Sequence, residues 1–452
     1  MTGRRHSSND VGVVIALAIV VLVLLLTFLA GRGEGRTDES VAAGTSGARA
    51  VVGASAVQPL PGSFSGEARN AGNVDACGGA AAKVADGPSE DEALAAAERY
   101  RDDAARAILA ALEARPEPRA RAAGLYFRAA RERIDTRAAE VCKKSFDTCS
   151  TLEQRHRDDR DSAEALARLA VNSTDPQVYA WAYRSCAAVA REAAGSCQLV
   201  NALQWARLDP ANAEPWLTVA REAKSRNDAA GLDDAMFHVA AAAVHDAGWG
   251  RAAAQMLEAA PQADRMVVGT LIVSLDTIVY ETIDLSSFSD TWRYCDARTL
   301  GNANRRDTCE KIASLLVDRS TTLMGRAVGL GLGKRLDWPT ARLAAVEKER
   351  DAAYAVELRD ASAPGEPFSC ARARRDLSRL AEVARVGEVE ALRRRVAATG
   401  ESVATLAAET RQTLRLAQEA EVARAAASAA SASAASAATA ASPYSSAPPP
   451  AR

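Results

Sequence analysis

An apolar segment near the N-terminus constrains this chain more than any other feature. Residues Val11 to Ala30 form an unbroken apolar run without a single charge. As an α-helix, such a run rises about 30 Å, which matches the hydrocarbon core of a bilayer. Signal-peptide cleavage is not expected, because the run is long and Phe28 stands where a small residue is needed. We therefore predict an uncleaved transmembrane helix over residues 11–30 that binds the membrane.

The residues that flank this run do not decide its orientation. Arg4 and Arg5 precede it, while Arg32 and Arg36 follow it, so the basic residues are balanced. The chain contains 8 cysteines, which favours an oxidising compartment for the part that follows the helix. We predict a single-pass protein of the inner (cytoplasmic) membrane, with residues 1–10 as a cytoplasmic stub and the C-terminal domain in the periplasm.

Composition changes three times after the apolar run. Residues 31–89 are rich in Gly, Ala, Ser and Pro, which predicts a flexible stalk. Residues 90–427 are rich in Ala, Leu, Arg and Glu and poor in aromatics, which predicts an irregular, repeat-like helical (solenoid) domain. Residues 428–452 form an Ala/Ser/Pro-rich, low-complexity tail that we expect to be disordered. The expected fold class is therefore all-α.

Two segments within the helical domain allow other interpretations. Residues 266–285 are apolar and β-branched, so a pair of strands is an alternative to the buried helix that we favour. Residues 325–335 resemble a phosphate-binding loop in their glycine content. However, Val328 occupies the position of the first glycine, and Arg335 replaces the usual Ser or Thr. A helix with close backbone packing is the better interpretation of this second segment.

A weak repeat occurs in the middle of the chain. Asp-Pro pairs at residues 175–176 and 209–210 are 34 residues apart, and each precedes a helical pattern. After the second pair, one apolar stripe contains Trp216, Val219, Ala220 and Ala223.

Residues 175–242 resemble tetratricopeptide repeats, with Trp216 at the family's tryptophan position and Ala220 at its small-residue position. Ala223 departs from the family's usual aromatic residue, and Trp181 falls one place early in the first unit. The resemblance implies stacked helical hairpins that bind proteins or peptides and perform no chemistry.

The cysteines are best explained as disulfides. An antiparallel helical hairpin would bring Cys186 close to Cys197, and short turns lie between the members of two further pairs. The predicted pairs are Cys186–Cys197, Cys142–Cys149, Cys295–Cys309 and, by elimination, Cys77–Cys370.

Zinc binding and thiol catalysis are less favoured interpretations of the cysteines. Close C-x₂-C pairs, which structural zinc sites use, do not occur in the sequence. His238 and His245 are predicted to share one helix, without a carboxylate at a spacing that would complete a metal site. We expect no metal and no cofactor.

No motif for a known reaction is present. The sequence lacks H-E-x-x-H and G-x-S-x-G, and its net charge of -2 gives no reason to expect nucleic acid. We therefore predict a non-enzymatic scaffold for a protein or peptide partner. The contact residues proposed are Trp181, Tyr183, Trp205 and Trp216, with packing between helices as the alternative role of these rings.

Two other functions remain open from the sequence. An enzyme could assemble its site across several helices, because active sites are spatial and need no sequence motif. A structural envelope protein could oligomerise through helices within residues 370–427, although their apolar spacing drifts from a coiled-coil heptad.

Overall fold

The computed structural model describes residues 90–140, 150–189, 195–261, 263, 266–281, 286–361 and 370–440. These residues form sixteen α-helices and one 3₁₀-helix without a β-strand, which confirms the all-α class. The predicted stub, membrane helix and stalk, residues 1–89, lie outside the described residues. Among the helices that are described, none combines the length and apolarity needed to cross a bilayer.

Two compact units divide the described residues. The first contains residues 90–336 of the described ranges together with 370–388, and the second contains 337–361 and 389–440. The domain predicted as one solenoid over residues 90–427 is therefore two units.

The first unit begins with eight helices. They are α1 (Glu90–Glu113), α2 (Pro118–Glu140), α3 (Ser150–Val171), α4 (Pro176–Val189), α5 (Ala202–Leu208), α6 (Ala213–Ser225), α7 (Ala229–Ala241) and α8 (Arg251–Ala259), with the 3₁₀-helix Ser196–Leu199 before α5. Five more helices complete the first unit: α9 (Val267–Glu281), α10 (Ser286–Tyr294), α11 (Ala303–Arg319), α12 (Leu323–Arg335) and α14 (Cys370–Val386). Helix α13 lies between α12 and α14 in the chain but belongs to the second unit. The second unit consists of α13 (Thr340–Ala361), α15 (Glu388–Ala398) and α16 (Val403–Ala440), where Glu388 itself clusters with the first unit.

Polar side chains set the starts of several helices in the first unit. Each accepts a hydrogen bond from a backbone N–H of the first turn, which has no partner within the helix. These N-cap residues are Asn201, Asn212, Asp228, Asn302 and Thr322. The connections before these helices are therefore held at defined positions, which matters for the site described below.

The apolar segment at residues 266–285 is a helix for as far as it is described. α9 ends at Glu281, and Val268, Leu271, Val273 and Ile278 are buried. A helix that is apolar on most sides is stable only when neighbours cover it. The buried-helix prediction is thus confirmed, and the strand pair is wrong.

Ion pairs and a small apolar core connect the helices of the second unit. Arg359 of α13 pairs with Glu401 and Glu409, while Arg395 of α15 pairs with Glu357 and Asp360. The core beneath these pairs is formed by Ala352, Ala355, Val356 and Leu406.

The C-terminal tail is partly helical. α16 continues to Ala440, so the prediction of disorder is wrong for residues 428–440. Alanine has the highest helix propensity of all residues, so an Ala-rich segment extends a helix that is already nucleated. Residues 441–452 lie outside the described residues.

Two of the four predicted disulfides are present. Cys186–Cys197 joins α4 to the 3₁₀-helix with 5.4 Å between the Cα atoms. Cys295–Cys309 joins the end of α10 to α11 with a Cα separation of 5.8 Å. Cys370 is also disulfide-bonded. The remaining cysteines, Cys77, Cys142 and Cys149, lie outside the described residues, so their pairings stay predictions.

The repeat-like segment folds as consecutive short helices. α6 and α7 pack together as a hairpin, and Trp216 on α6 stacks on His238 of α7 with ring centroids 4.0 Å apart. The prediction that His238 and His245 share a helix is wrong. α7 ends at Ala241 because the backbone becomes extended at Ala242. His245 lies in the connection to α8.

Candidate functional site

Three connections between helices pair side by side in the first unit. Backbone N–H to carbonyl distances of 2.8 Å join residues 211–213 to residues 243–244. Distances of 2.9 and 3.2 Å join His245 to residues 319–321 on the other side. The middle segment, residues 243–245, is thus hydrogen-bonded to both neighbouring segments. These bonds fix the positions of its side chains.

His245 occupies the centre of this junction and is fully buried. Its Nδ1 lies 2.9 Å from Ser320 Oγ, and its Nε2 lies 3.2 Å from Glu214 Oε2. Glu214 is held in the first turn of α6, where its backbone N–H donates to the Asn212 side chain at 3.1 Å. Arg184 of α4 lies on the far side of Glu214, with 3.7 Å between Nη2 and Oε1.

A hydroxyl, an imidazole and a carboxylate in a row resemble the arrangement that activates a serine nucleophile. Here the row is closed. Ser320 is 6% exposed and His245 is 0% exposed. Ser320 Oγ also accepts a hydrogen bond from Thr322 N at 3.2 Å, and Gly325 packs directly against both Ser320 and His245. The row therefore joins helix connections and has no room for a reacting atom beside the hydroxyl.

A polar cleft lies next to this buried row. Its empty volume is about 420 Å³. Its lining combines residues that follow His245 and Ser320 in the chain with the last turn of α14. The lining residues are Asp246, Trp249, Arg251, Thr321, Thr322 and residues 383–388. Gly387 ends α14 with a φ of +85°, a backbone conformation that favours glycine because it has no Cβ.

Both carboxylates of the cleft are already engaged by the chain itself. Asp246 Oδ1 accepts a hydrogen bond from Thr321 Oγ1 at 3.3 Å, and Oδ2 pairs with Arg251. Glu388 Oε2 accepts a hydrogen bond from Leu323 N at 2.7 Å, at the start of α12. These acids therefore shape the cleft and stabilise its edges.

Two buried donors beside Arg251 lack an acceptor within the described part of the chain. The indole Nε1 of Trp249 and the amide Nε2 of Gln177 are both inaccessible and make no hydrogen bond. The amide oxygen of Gln177 accepts a hydrogen bond from Arg251 Nη1 at 3.0 Å. An indole nitrogen can only donate, and that of Trp249 lies beneath the surface.

Glu281 is a second buried carboxylate near the junction. It caps the start of α8, where it accepts hydrogen bonds from Gly250 N at 2.7 Å and Ala252 N at 3.2 Å. Burial raises the pKa of Glu281 to about 7, although the charge of Arg184 and the backbone donors act in the opposite direction. This carboxyl group therefore titrates near neutral pH in the folded protein.

The four aromatic residues proposed as a contact surface lie in the interior. Trp181 and Trp205 are 0% and 3% exposed, and Tyr183 and Trp216 are 8% exposed. Trp181 stacks on Tyr126 with ring centroids 5.9 Å apart, and Tyr183 packs on Trp205 at 5.8 Å. In the structure these rings pack between helices, which is their alternative role. A partner cannot touch rings that neighbouring helices cover, so the cleft replaces them as the candidate site.

Sequence reasoning did not find the cleft. Its residues come from three connections that are distant in the chain, such as Asp246 and Thr321, which are 75 positions apart. One local signal was available: Trp249 lies between Gly248 and Gly250, whose φ angles are +67° and +78°. An aromatic residue between two glycines in a connection is unusual and marks a constrained turn.

Comparisons with protein-family models, curated proteins and solved structures find no match. Within the residues that the structure describes, no group of three His, Cys, Asp or Glu side chains is arranged to hold a metal ion.

Proposed function

We propose that this chain is a membrane-anchored, envelope-facing helical scaffold that binds a protein or peptide partner and catalyses no reaction. The polar cleft of the first unit carries this proposal. It is open to solvent, it is lined by polar side chains, and its two acids are engaged by the chain itself. Such a surface suits reversible recognition, which needs a few placed polar groups in a concave site.

Two further observations support the placement in the envelope. The apolar run at residues 11–30 has the length of a membrane helix. The two disulfides of the described residues are of the kind that forms in oxidising compartments. In this proposal the stalk over residues 31–89 lets the helical units reach partners away from the bilayer.

Site-specific photo-crosslinking in cells tests the function. The full chain would carry a benzoylphenylalanine at Thr321 in the cleft or, as the matched control, at Arg298, whose side chain is 92% exposed. We expect a discrete protein adduct from position 321 that is missing from position 298. No adduct, or the same adducts from both positions, would contradict the proposal. An adduct between two copies of the chain would favour the oligomeric envelope element instead.

A further inference from the structure

A cluster of ionisable groups joins α4, α6, α9 and the connection between α7 and α8. This charge cluster consists of Arg184, Glu214, His245 and Glu281. We infer that the cluster holds one exchangeable proton and is a pH-sensitive clamp, which keeps the connection closed while the proton is bound and loosens it when the proton leaves. The clamp belongs to the fold itself, whether or not the cleft binds a partner. The connection nevertheless contributes part of the lining of the cleft, so the clamp acts on the cleft as well.

The formal charges of the cluster do not balance without a proton. Arg184 Nη2 lies 3.7 Å from Glu214 Oε1, and the charge of Arg184 also acts on Glu281. One guanidinium thus faces two carboxylates. With both carboxylates ionised and His245 neutral, the cluster carries one negative charge in excess. Glu214, His245 and Glu281 are buried, where such a charge is costly, and one bound proton brings the sum to zero.

Charged side chains of the neighbouring elements are engaged with groups outside the cluster. They form pairs of opposite charge or donate to backbone carbonyls. The pairs are Asp246–Arg251 and Lys224–Asp290, and the arginines that donate to carbonyls are Arg319 and Arg326. On the side of the cleft, Arg385 and Glu388 have opposite charges. The cluster therefore has to balance its own charge.

Glu281 is the member of the cluster that takes the proton. Burial raises its pKa to about 7, although the charge of Arg184 and the backbone donors act in the opposite direction. Below this pH the carboxyl group is neutral and the charges of the cluster cancel. Above it the negative charge in excess is buried.

The same two side chains hold the connection between α7 and α8. Glu281 accepts hydrogen bonds from Gly250 N at 2.7 Å and Ala252 N at 3.2 Å, while Arg184 donates to Ala247 O at 2.6 Å. Opening the start of α8 would give the carboxyl group of Glu281 access to water. Ionisation therefore favours the open connection, because a carboxylate gains more from hydration than a neutral carboxyl group does.

Hydrogen exchange of the full chain in mild detergent, followed by mass spectrometry, tests the clamp. Exchange of a peptide that covers residues 246–256 is compared at pH 6 and pH 8.5, after correction for the intrinsic effect of pH on exchange. The pKa of Glu281, about 7 in the closed form against 4.5 for the free group, predicts protection that is about tenfold lower at pH 8.5. Protection of residues 343–358 in α13 should be equal at both pH values.

Glu281→Gln is the test variant, because its amide is neutral at both pH values. Protection of residues 246–256 should then not depend on pH. Glu258→Gln, on the exposed side of α8, is the matched control and should keep the tenfold difference.

Three results would overturn the inference. The first is equal protection of residues 246–256 at both pH values in the unaltered chain, a comparison that does not require the variant to fold. The second is a pH-dependent difference that survives in Glu281→Gln. The third is an equal loss of protection in every peptide of the first unit, because that would show global unfolding and not a local clamp.

Discussion

At the scale of single residues, His245 holds together parts of the chain that are far apart in sequence. Its ring contacts Glu214 at the start of α6 and Ser320 at the end of α11, and all three side chains are buried. Buried polar groups need hydrogen-bond partners, and His245 supplies one to both Glu214 and Ser320. The imidazole thus has a structural role in the junction between the helix connections.

His245→Ala should therefore destabilise the protein strongly. Removing the ring leaves a buried carboxylate and a buried hydroxyl without their partner, which we expect to cost about 3 kcal/mol. Urea unfolding followed by circular dichroism measures this change. His238→Ala is the matched control, because the His238 side chain is 41% exposed and should change stability by less than about 1 kcal/mol. Equal effects of both substitutions would show that the His245 contacts contribute nothing.

Glu281 should make stability depend on pH in the direction opposite to most carboxylates. Its pKa is about 7 in the folded protein, against 4.5 for the free group. Between these two pKa values, the folded state therefore holds a proton on Glu281 that the unfolded state has lost. Its contribution is complete below about pH 4.5 and is lost as pH rises through about 7, by about 3 kcal/mol in total.

Glu281→Gln should remove this part of the pH dependence, because an amide does not titrate. Its single oxygen can accept only one of the two backbone hydrogen bonds, so we expect a lower stability at every pH as well. Unfolding free energies at pH 5, 6, 7 and 8 compare the variant with the unaltered chain. Glu258→Gln, on the exposed side of α8, is the control and should keep the slope. A slope that survives in Glu281→Gln would assign it to other groups.

At the scale of elements, glycines allow α12 to pack closely on α11. The sequence pattern alone could have assigned these glycines to a phosphate-binding loop. Residues 325–333 lie within α12, which packs against α11. A Cβ on Gly329 would lie 2.8 Å from Leu316 Cβ and 2.8 Å from Val317 N. The missing side chain therefore allows the two helices to approach, and the helix predicted for this segment is confirmed.

Gly329→Ala should destabilise the protein although alanine favours helix. The gain in propensity is about 1 kcal/mol, whereas the clash with the α11 backbone costs about 1–3 kcal/mol and cannot be relieved by a side-chain rotation. Gly301→Ala is the matched control, because nothing lies within 4 Å of its Cβ position. Thermal unfolding should show a lower midpoint for Gly329→Ala only. A rise in the midpoint would mean that the helices separate easily.

At the scale of the whole molecule, the oxidised cysteines connect the fold to its proposed compartment. Cys186–Cys197 and Cys295–Cys309 each close a short local loop, and Cys370 is disulfide-bonded as well. Disulfides of this kind persist outside the reducing cytosol. In the proposed function, this chemistry bears on the periplasmic location of the helical units.

Thiol counting should distinguish the two possible sides of the membrane. We expect no free thiol in denatured, unreduced protein from native membranes when it is treated with a mass-tagged alkylating reagent. Reduction beforehand should add a tag for each of the 8 cysteines. Eight tags without reduction would place the helical units in the cytoplasm, because the thiols would then have met a reducing environment.

Local physical chemistry made much of the fold predictable from the sequence. Helix propensity and apolar spacing predicted the all-α class. Two helices end near Gly387 and Gly400, whose φ angles are positive and therefore suit glycine. Short loops between helices predicted the disulfides Cys186–Cys197 and Cys295–Cys309. Propensity also explains why residues 428–440 are helical although low complexity predicts disorder, because alanine continues a helix.

The site could be decided only by tertiary structure. Trp181 and Trp216 carry an aromatic signal in the sequence, but packing between helices covers both rings. Asp246, Thr321 and Glu388 carry no signal, because each lies in a separate connection or helix start. Backbone pairing around His245 joins the first two segments, and the hydrogen bond from Leu323 N to Glu388 Oε2 attaches the third. The sequence alone determines which segments become helices, because helix formation depends on residues a few positions apart. The cleft depends on contacts between distant segments, which only the folded chain brings together.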